Sequence, residues 1–330
     1  MRYFILGAGS WGSTIAQLLK DNGHEVVLWA HTEELAEKLN NRKKMPHLPD
    51  VDLEVEVSSD ISLGDSYDVL IIATPVQFIR SVFERIDYQP KTILNLSKGM
   101  EISTGKRVSE IVKEFFDCGY AVLSGPSHAE EVALRLPTAV VIAGSMKEIL
   151  QREFSNEYFR VYIHEDILGI ELASALKNII AIAAGVVDGL GGWDNAKAAL
   201  ITRGLYEITK FSANFGADPL TFMGLAGLGD LVVTCNSRHS RNRRYGEMIA
   251  KGFDPLHLLE ASEEIVEGAY TCKAIIENYG DRFDMPITKE IYEVIYNRKS
   301  PSDSIRCLMS RSLKVEMEEV KEWLEKNLKD

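Results

Sequence analysis

The sequence is poor in cysteine. Its four residues, Cys118, Cys235, Cys272 and Cys307, lie far apart, with no Cys-x-x-Cys pair. That spacing suits a reducing compartment and offers neither a zinc nor a redox motif, so no metal is expected. Positive charge is scarce as well: 37 Lys and Arg stand against 49 Asp and Glu, a formal net charge of −12. Such a balance disfavours nucleic acid and anionic membranes as partners, and any anionic ligand has to be held by a local basic cluster. Long apolar runs are absent too. The longest, near Ile179 to Val187, is short for a bilayer and flanked by polar residues. The chain opens directly into an apolar stretch, leaving no room for a signal peptide. A cytoplasmic protein not integral to a membrane is expected. An apolar fraction of 45% argues against disorder, and 330 residues suggest about two domains.

What is present begins at the amino terminus. Tyr3-Phe4-Ile5-Leu6 reads as a buried parallel strand, Gly7-Ala8-Gly9-Ser10-Trp11-Gly12 follows, and Ile15, Ala16, Leu18 and Leu19 mark a helix. Strand, Gly-x-Gly-x-x-Gly and helix in that order form a dinucleotide-binding arrangement. Gly7 permits the tight turn, Gly9 the approach of a pyrophosphate, and Gly12 the close packing of helix on strand. The helix start then offers N–H groups and a positive dipole end. A second strand at Val26 to Trp29 ends without a carboxylate at its tip. Thr32 caps the next helix, with Glu33 and Glu34 in its first turn. A 2′-phosphate would not be repelled there, which favours NADP over NAD. His31 reads either as a contact to that phosphate or as a solvated loop residue.

The segment from Arg42 to Asp60, broken by Pro46 and Pro49, reads as an irregular excursion. Buried strands follow at Asp68 to Ala73, Thr92 to Leu96, Tyr120 to Leu123, Thr138 to Ala143 and Val161 to Ile163. Their carboxyl ends border the ligand crevice of such a sheet, placing Thr74 to Val76, Lys98 and the Ser124-Gly125-Pro126-Ser127-His128-Ala129 loop there. His128 has no visible partner and reads as a loop or helix-start residue. The alternation implies an α/β fold: a Rossmann-type doubly wound sheet in residues 1–165, followed by an all-α domain in 166–330.

Ile167 to Val187 is apolar nearly all round, except for Glu171, Ser174, Lys177 and Asn178, which share one helical stripe. A lysine in such a helix needs a polar destination, and partial desolvation would lower its pKa toward a value useful for proton transfer. The alternative is a lysine emerging at a domain surface. Asn195 to Asn214 reads as a further long helix. In Gly224-Leu225-Ala226-Gly227-Leu228-Gly229-Asp230 the carboxylate needs a cation, and Lys177 is the candidate; Asp230 as a helix N-cap is compatible with that. Ser237 to Arg244 is the one dense basic cluster. It suits a single small phosphate better than nucleic acid, since no aromatic platform accompanies it. Glu263 to Gly268 precedes a helix through Lys273 and Ile276. The remainder, to Asp330, reads as amphipathic helices.

Six motifs in order, GAGSWG, NLSKG, LSGPS, ELASALKN, GLAGLGDL and SRNRRYG, make the chain resemble the bacterial NAD(P)-dependent glycerol-3-phosphate dehydrogenases from Met1 to roughly Leu313. The resemblance implies interconversion of dihydroxyacetone phosphate and glycerol 3-phosphate, feeding phospholipid synthesis, with NADP or NAD as cofactor. Lys177 is then similar to the family's proton donor and acceptor, oriented by Asp230. Ser10 and Trp11 would lie against the cofactor, with His31 near its adenosine end and Ala129, Ile265 and Glu267 as further contacts. Lys98 would touch cofactor and substrate. Gly125 and Ser127 match substrate positions. Ser240, Arg241 and Asn242 match the phosphate clamp, Arg241 reaching the cofactor too. Ser127-His128 departs from a pattern in which relatives often carry an aromatic at the second position. A homodimer is an open option. Two other readings stand beside this one, a relative acting on a hydroxy acid and a dinucleotide sensor without turnover; a substrate panel separates them.

Overall fold

A computed structural model describes residues 1–46, 48–262, 265–313 and 315–316. Glu263, where the late segment was expected to begin, and the charged helix expected to close at Asp330 lie outside the described residues. The chain forms two units, Met1–Glu101 with Lys106–Glu171, and Ile102–Gly105 with the chain from Leu172 onward.

In the first unit the alternating side chains of β1 (Arg2–Leu6) serve two cores. Tyr3 and Ile5 pack with Ile15, Leu18 and Leu19 of α1 (Ser10–Asp21). Phe4 and Leu6 pack on the opposite face with Ile79 and Phe83 of α3 (Val76–Phe83) and Ile111 of α4 (Val108–Phe115). Burial on both faces is why these strands are continuously apolar. The sheet has eight strands. In spatial order they are β10 (Phe159–His164), β9 (Thr138–Gly144), β8 (Gly119–Ser124), β7 (Thr92–Asn95), β6 (Val69–Ile72), β1, β2 (Glu25–Trp29) and β5 (Glu56–Ser58). From β1 the chain moves outward through β2 and β5, then returns to lay β6 on the other side of β1. The order therefore reverses between β1 and β6, the place where such sheets take ligands.

Two expectations change. The sheet is parallel throughout except where β9 runs antiparallel to β8. The β8–β9 connection carries only the five-residue α5 (Ala129–Ala133), and so short a link turns the chain back at the same end of the sheet rather than crossing its face. The supposed irregular excursion is also structured. β3 (Lys44–Met45) and β4 (Leu48–Asp52) form an antiparallel ribbon, and β5 joins the sheet edge beside β2. Leu53, Val55 and Val57 are buried and supply the driving force, while Pro49 is tolerated because β4 has only one partner strand.

The second unit is helical. Most of α7 (Ile167–Gly189) lies in it, and by length and composition this helix could cross a membrane; its most apolar window is instead wholly buried inside the protein. α8 (Asp194–Ala213) follows, then α9 (Asp230–Asn236), α10 (Arg241–Ala250), α11 (Pro255–Ala261), α12 (Glu267–Tyr279), α13 (Pro286–Tyr296) and α14 (Pro301–Met309).

Candidate active site

In the first unit the glycine turn sits against the carboxyl end of β6. Gly7 has φ +122°, and a Cβ there would lie 2.8 Å from the Ala73 carbonyl oxygen; a Cβ on Gly12 would lie 2.0 Å from the Gly7 oxygen. Any side chain at either position would push helix and strand apart. A Cβ at Gly9 would meet nothing within 4 Å, so the chain leaves open space where the helix begins. No side chain caps α1, and its first turn carries no acid. Its leading N–H groups are left for an anion. Nearby, Trp11 Nε1 and Thr74 Oγ1 are buried without a hydrogen-bond partner among the described residues. An uncapped helix start, an open glycine and two unsatisfied polar atoms fit a bound dinucleotide pyrophosphate.

Other expected residues of this unit gather at the same strand ends. Ser97 Oγ donates to the Thr74 carbonyl at 2.5 Å. Lys98 Nζ donates to the Gly125 carbonyl at 3.3 Å, and Ser127 Oγ to the same oxygen at 3.0 Å, so Lys98, Gly125 and Ser127 form one cluster. The Ala129 carbonyl accepts from Thr14 Oγ1 of α1 at 3.4 Å. Ser10 is half-buried, and His31 is exposed just beyond β2. Thr32 does cap α2 (Glu33–Arg42), accepting from the Leu35 N–H.

In the second unit Lys177 is 3% exposed and Asp230 2%. Lys177 Nζ lies 3.2 Å from Asp230 Oδ1, donates to Thr234 Oγ1 at 2.7 Å and to Asn178 Oδ1 at 3.1 Å. Thr234 in turn donates to the Asp230 carbonyl oxygen at 2.5 Å. Desolvating a lone ammonium so fully would be prohibitive; an opposed carboxylate and two oriented acceptors make it tolerable. Asp230 is the first residue of α9, with Gly229 as its N-cap, so its carboxylate also sits at a positive helix end.

The polar stripe on α7 divides. Glu171 belongs to the first unit. It accepts from Ser109 N at 2.9 Å, Ser109 Oγ at 2.6 Å, Arg107 Nη1 at 2.9 Å and Tyr120 OH at 2.5 Å, all within the first unit. Burial and that carboxylate hold the Tyr120 hydroxyl well above its ordinary pKa. The basic cluster divides as well. Arg241 is exposed, whereas Arg243 Nε is bonded to Asp188 at 2.5 Å. Ser240 is the N-cap of α10 and accepts from Arg243 N at 3.2 Å. Asn242 Nδ2 donates to Asn178 Oδ1 at 3.1 Å, and its Oδ1 accepts from Gly268 N at 2.9 Å. Ile265 and Glu267, half-buried, lie just ahead of Gly268.

The model of the NAD-dependent glycerol-3-phosphate dehydrogenase N-terminus matches residues 3–150, and that of the C-terminus matches residues 166–306. The chain belongs to the NAD-dependent glycerol-3-phosphate dehydrogenase family. It is 58% identical over 317 residues to glycerol-3-phosphate dehydrogenase [NAD(P)+] of Thermotoga sp. (strain RQ2), covering 96% of this chain and 99% of that one. The enzyme of the same name from Geobacillus thermodenitrificans is 46% identical over 331 residues, with 96% of each chain covered. Among solved structures, glycerol-3-phosphate dehydrogenase from Coxiella burnetii superposes with a TM-score of 0.88 at 32% identity, covering 94% of this chain and 99% of that one.

Sequence reasoning missed Thr234 as a partner of Lys177. The available signal was its spacing: four residues beyond Asp230 on a helix is the same face. It also missed Asp188, which stands near the end of a mostly apolar helix and therefore needed a cation as much as Lys177 needed an anion.

Proposed function

We propose that this chain interconverts dihydroxyacetone phosphate and sn-glycerol 3-phosphate with NAD(H) or NADP(H), supplying glycerol 3-phosphate for phospholipid synthesis. The observation that carries this reading, in a chain of this family, is the enclosed ammonium of Lys177 held by Asp230, Thr234 and Asn178. When bound, the dinucleotide supplies or accepts the hydride. The chain's residues do the rest. Lys177 Nζ gives its proton to the oxygen that becomes the hydroxyl of glycerol 3-phosphate, and takes it back in the reverse direction; its charge stabilises that oxygen as negative charge develops. Asp230 orients the amine and balances its charge. Arg241, with the start of α10, grips the substrate phosphate and aligns the carbonyl, so that binding energy remote from the reacting carbon assists the chemical step. Lys98, Gly125 and Ser127 contribute further substrate contacts.

Gly7, Gly9, Ser10, Trp11 and Gly12 would hold the dinucleotide, with His31, Lys98, Ala129, Arg241, Ile265 and Glu267 as additional contacts. Residues 1–165 are then the dinucleotide-binding domain and 166–330 the substrate domain. The proposal extends to a cytoplasmic location and a homodimer. The test is direct: purified protein is given dihydroxyacetone phosphate with NADPH and then NADH, and oxidation is followed by absorbance. Turnover with at least one is expected, with NADPH preferred because no carboxylate stands at the tip of β2. Dinucleotide binding with no turnover on this substrate would overturn the reading.

A further inference from the structure

The first turn of α10 holds Arg241, Arg243 and Arg244 and no acid, at the positive end of a helix dipole. Three cations there repel one another and the helix end. Yet only some are left for a ligand, because Asp188 intervenes from α7. Its Oδ2 accepts from Arg243 Nε at 2.5 Å and from Lys197 Nζ of α8 at 2.9 Å, and its Oδ1 from Lys197 Nζ at 3.0 Å. The three side chains are 13–18% exposed, so this ion network is largely shielded from solvent. The backbones meet at the same place. A Cβ on Gly185 would lie 1.9 Å from the Arg243 carbonyl oxygen. Gly185 and Asp188, three residues apart on α7, thus grip main chain and side chain of one arginine. Asn178 holds the neighbouring Asn242.

From this arrangement we propose that Asp188 is a positioning residue for phosphate recognition: by fixing Arg243 on α7 it sets the first turn of α10, and with it Arg241, in register with the helix that carries Lys177. This rests on the reading of Arg241 as the phosphate grip. The distance between an anchored phosphate and the proton donor is then decided by one helix pair. Arg243 is diverted from the substrate, and the exposed Arg241 at the head of the helix is left to meet the phosphate. The grip is made in ground and transition states alike, so loosening it moves KM more than kcat.

The test uses the full-length enzyme and reads KM for dihydroxyacetone phosphate, kcat, competitive inhibition by inorganic phosphate and the thermal midpoint. Asp188→Asn is expected to raise KM and the phosphate inhibition constant together by about tenfold or more, with kcat kept within about twofold. Asp188→Glu restores the charge and is expected to recover most of that loss. Lys197→Met removes the other cation without touching α10, and should keep KM near its original value even where it lowers the midpoint as much. If Asp188→Asn does not fold, Arg243→Gln cuts the same link from its other side and should raise KM likewise. A normal KM in Asp188→Asn, or an equal rise in Lys197→Met, overturns the assignment. Arg241→Ala separates the two levels: a normal KM there removes the grip itself, whereas a raised KM beside a normal Asp188→Asn removes only the role of Asp188.

Discussion

Gly9 in the sheet unit and Lys177 in the helical unit are both candidate ligand contacts, built in opposite ways. Gly9 contributes no side chain: the space beside it is open, and the groups on offer are backbone N–H donors of α1. Lys177 contributes only its side chain, enclosed and held by three oxygen-bearing partners. The first kind of site depends on what is missing, and it tolerates loss of almost any single polar group. The second depends on matched charges in a medium that punishes mismatch. Substitutions should therefore fail differently in the two units.

The largest effect is expected from Lys177→Ala, which should lower kcat by about a thousandfold or more while dinucleotide affinity, measured by fluorescence titration, stays within about threefold. A comparable fall in dinucleotide affinity would break the contrast between the units. Next comes Gly9→Ala. Its φ of −81° suits alanine and its Cβ meets no protein atom. The thermal midpoint should hardly move, yet the dissociation constant for the dinucleotide should rise by about ten- to a hundredfold, because the added methyl would stand in the open space proposed for the pyrophosphate. Unchanged affinity would show that the open space serves something else.

The smallest effect concerns stability. Glu207 on α8 is 4% exposed, and its carboxylate accepts from the N–H groups of Ile287 and Thr288 and the Thr288 hydroxyl, capping α13 from another helix. Burial pushes its pKa up to about 7, with Asp284 adding to the rise and the three hydrogen bonds opposing it. The folded chain thus keeps a proton that the unfolded chain, titrating near 4.5, has released. Between those values stability falls as pH rises, and it is not regained above pH 7. Glu207→Gln removes this slope. The drop in thermal midpoint from pH 5 to pH 8 should shrink by a few degrees relative to the unaltered protein, and an unchanged drop would place the titration elsewhere.

The same contrast explains what could be read in advance. Glycine spacing between an apolar strand and a helix is a local signal, so β1, the turn and α1 were legible. The pairing of Lys177 with Asp230 was legible from charge economy, since each is isolated in an apolar run. Strand direction was not. Thr138–Gly144 is equally apolar either way round, and only the short α5 link makes it antiparallel. β5 was hidden because three residues are too few for periodicity, and its pairing with β2 is a tertiary fact. The partners of Glu171 were hidden for a related reason. Helical spacing gives a shared face, but Glu171 finds Arg107, Ser109 and Tyr120, which no spacing on α7 could announce. Asp188 and Thr234 were overlooked because a single polar residue acquires meaning only once its neighbour from another helix is known.

One consequence reaches back to biosynthesis. Because α7 is apolar apart from one polar stripe and Asp188, most of its favourable packing waits for helices encoded after it. At ordinary elongation speeds the ribosome needs about 5–20 s to deliver the roughly hundred residues that enclose it. During that interval the nascent chain presents a long apolar helix uncovered, so the segment that carries Lys177 is also one that gains from chaperone protection.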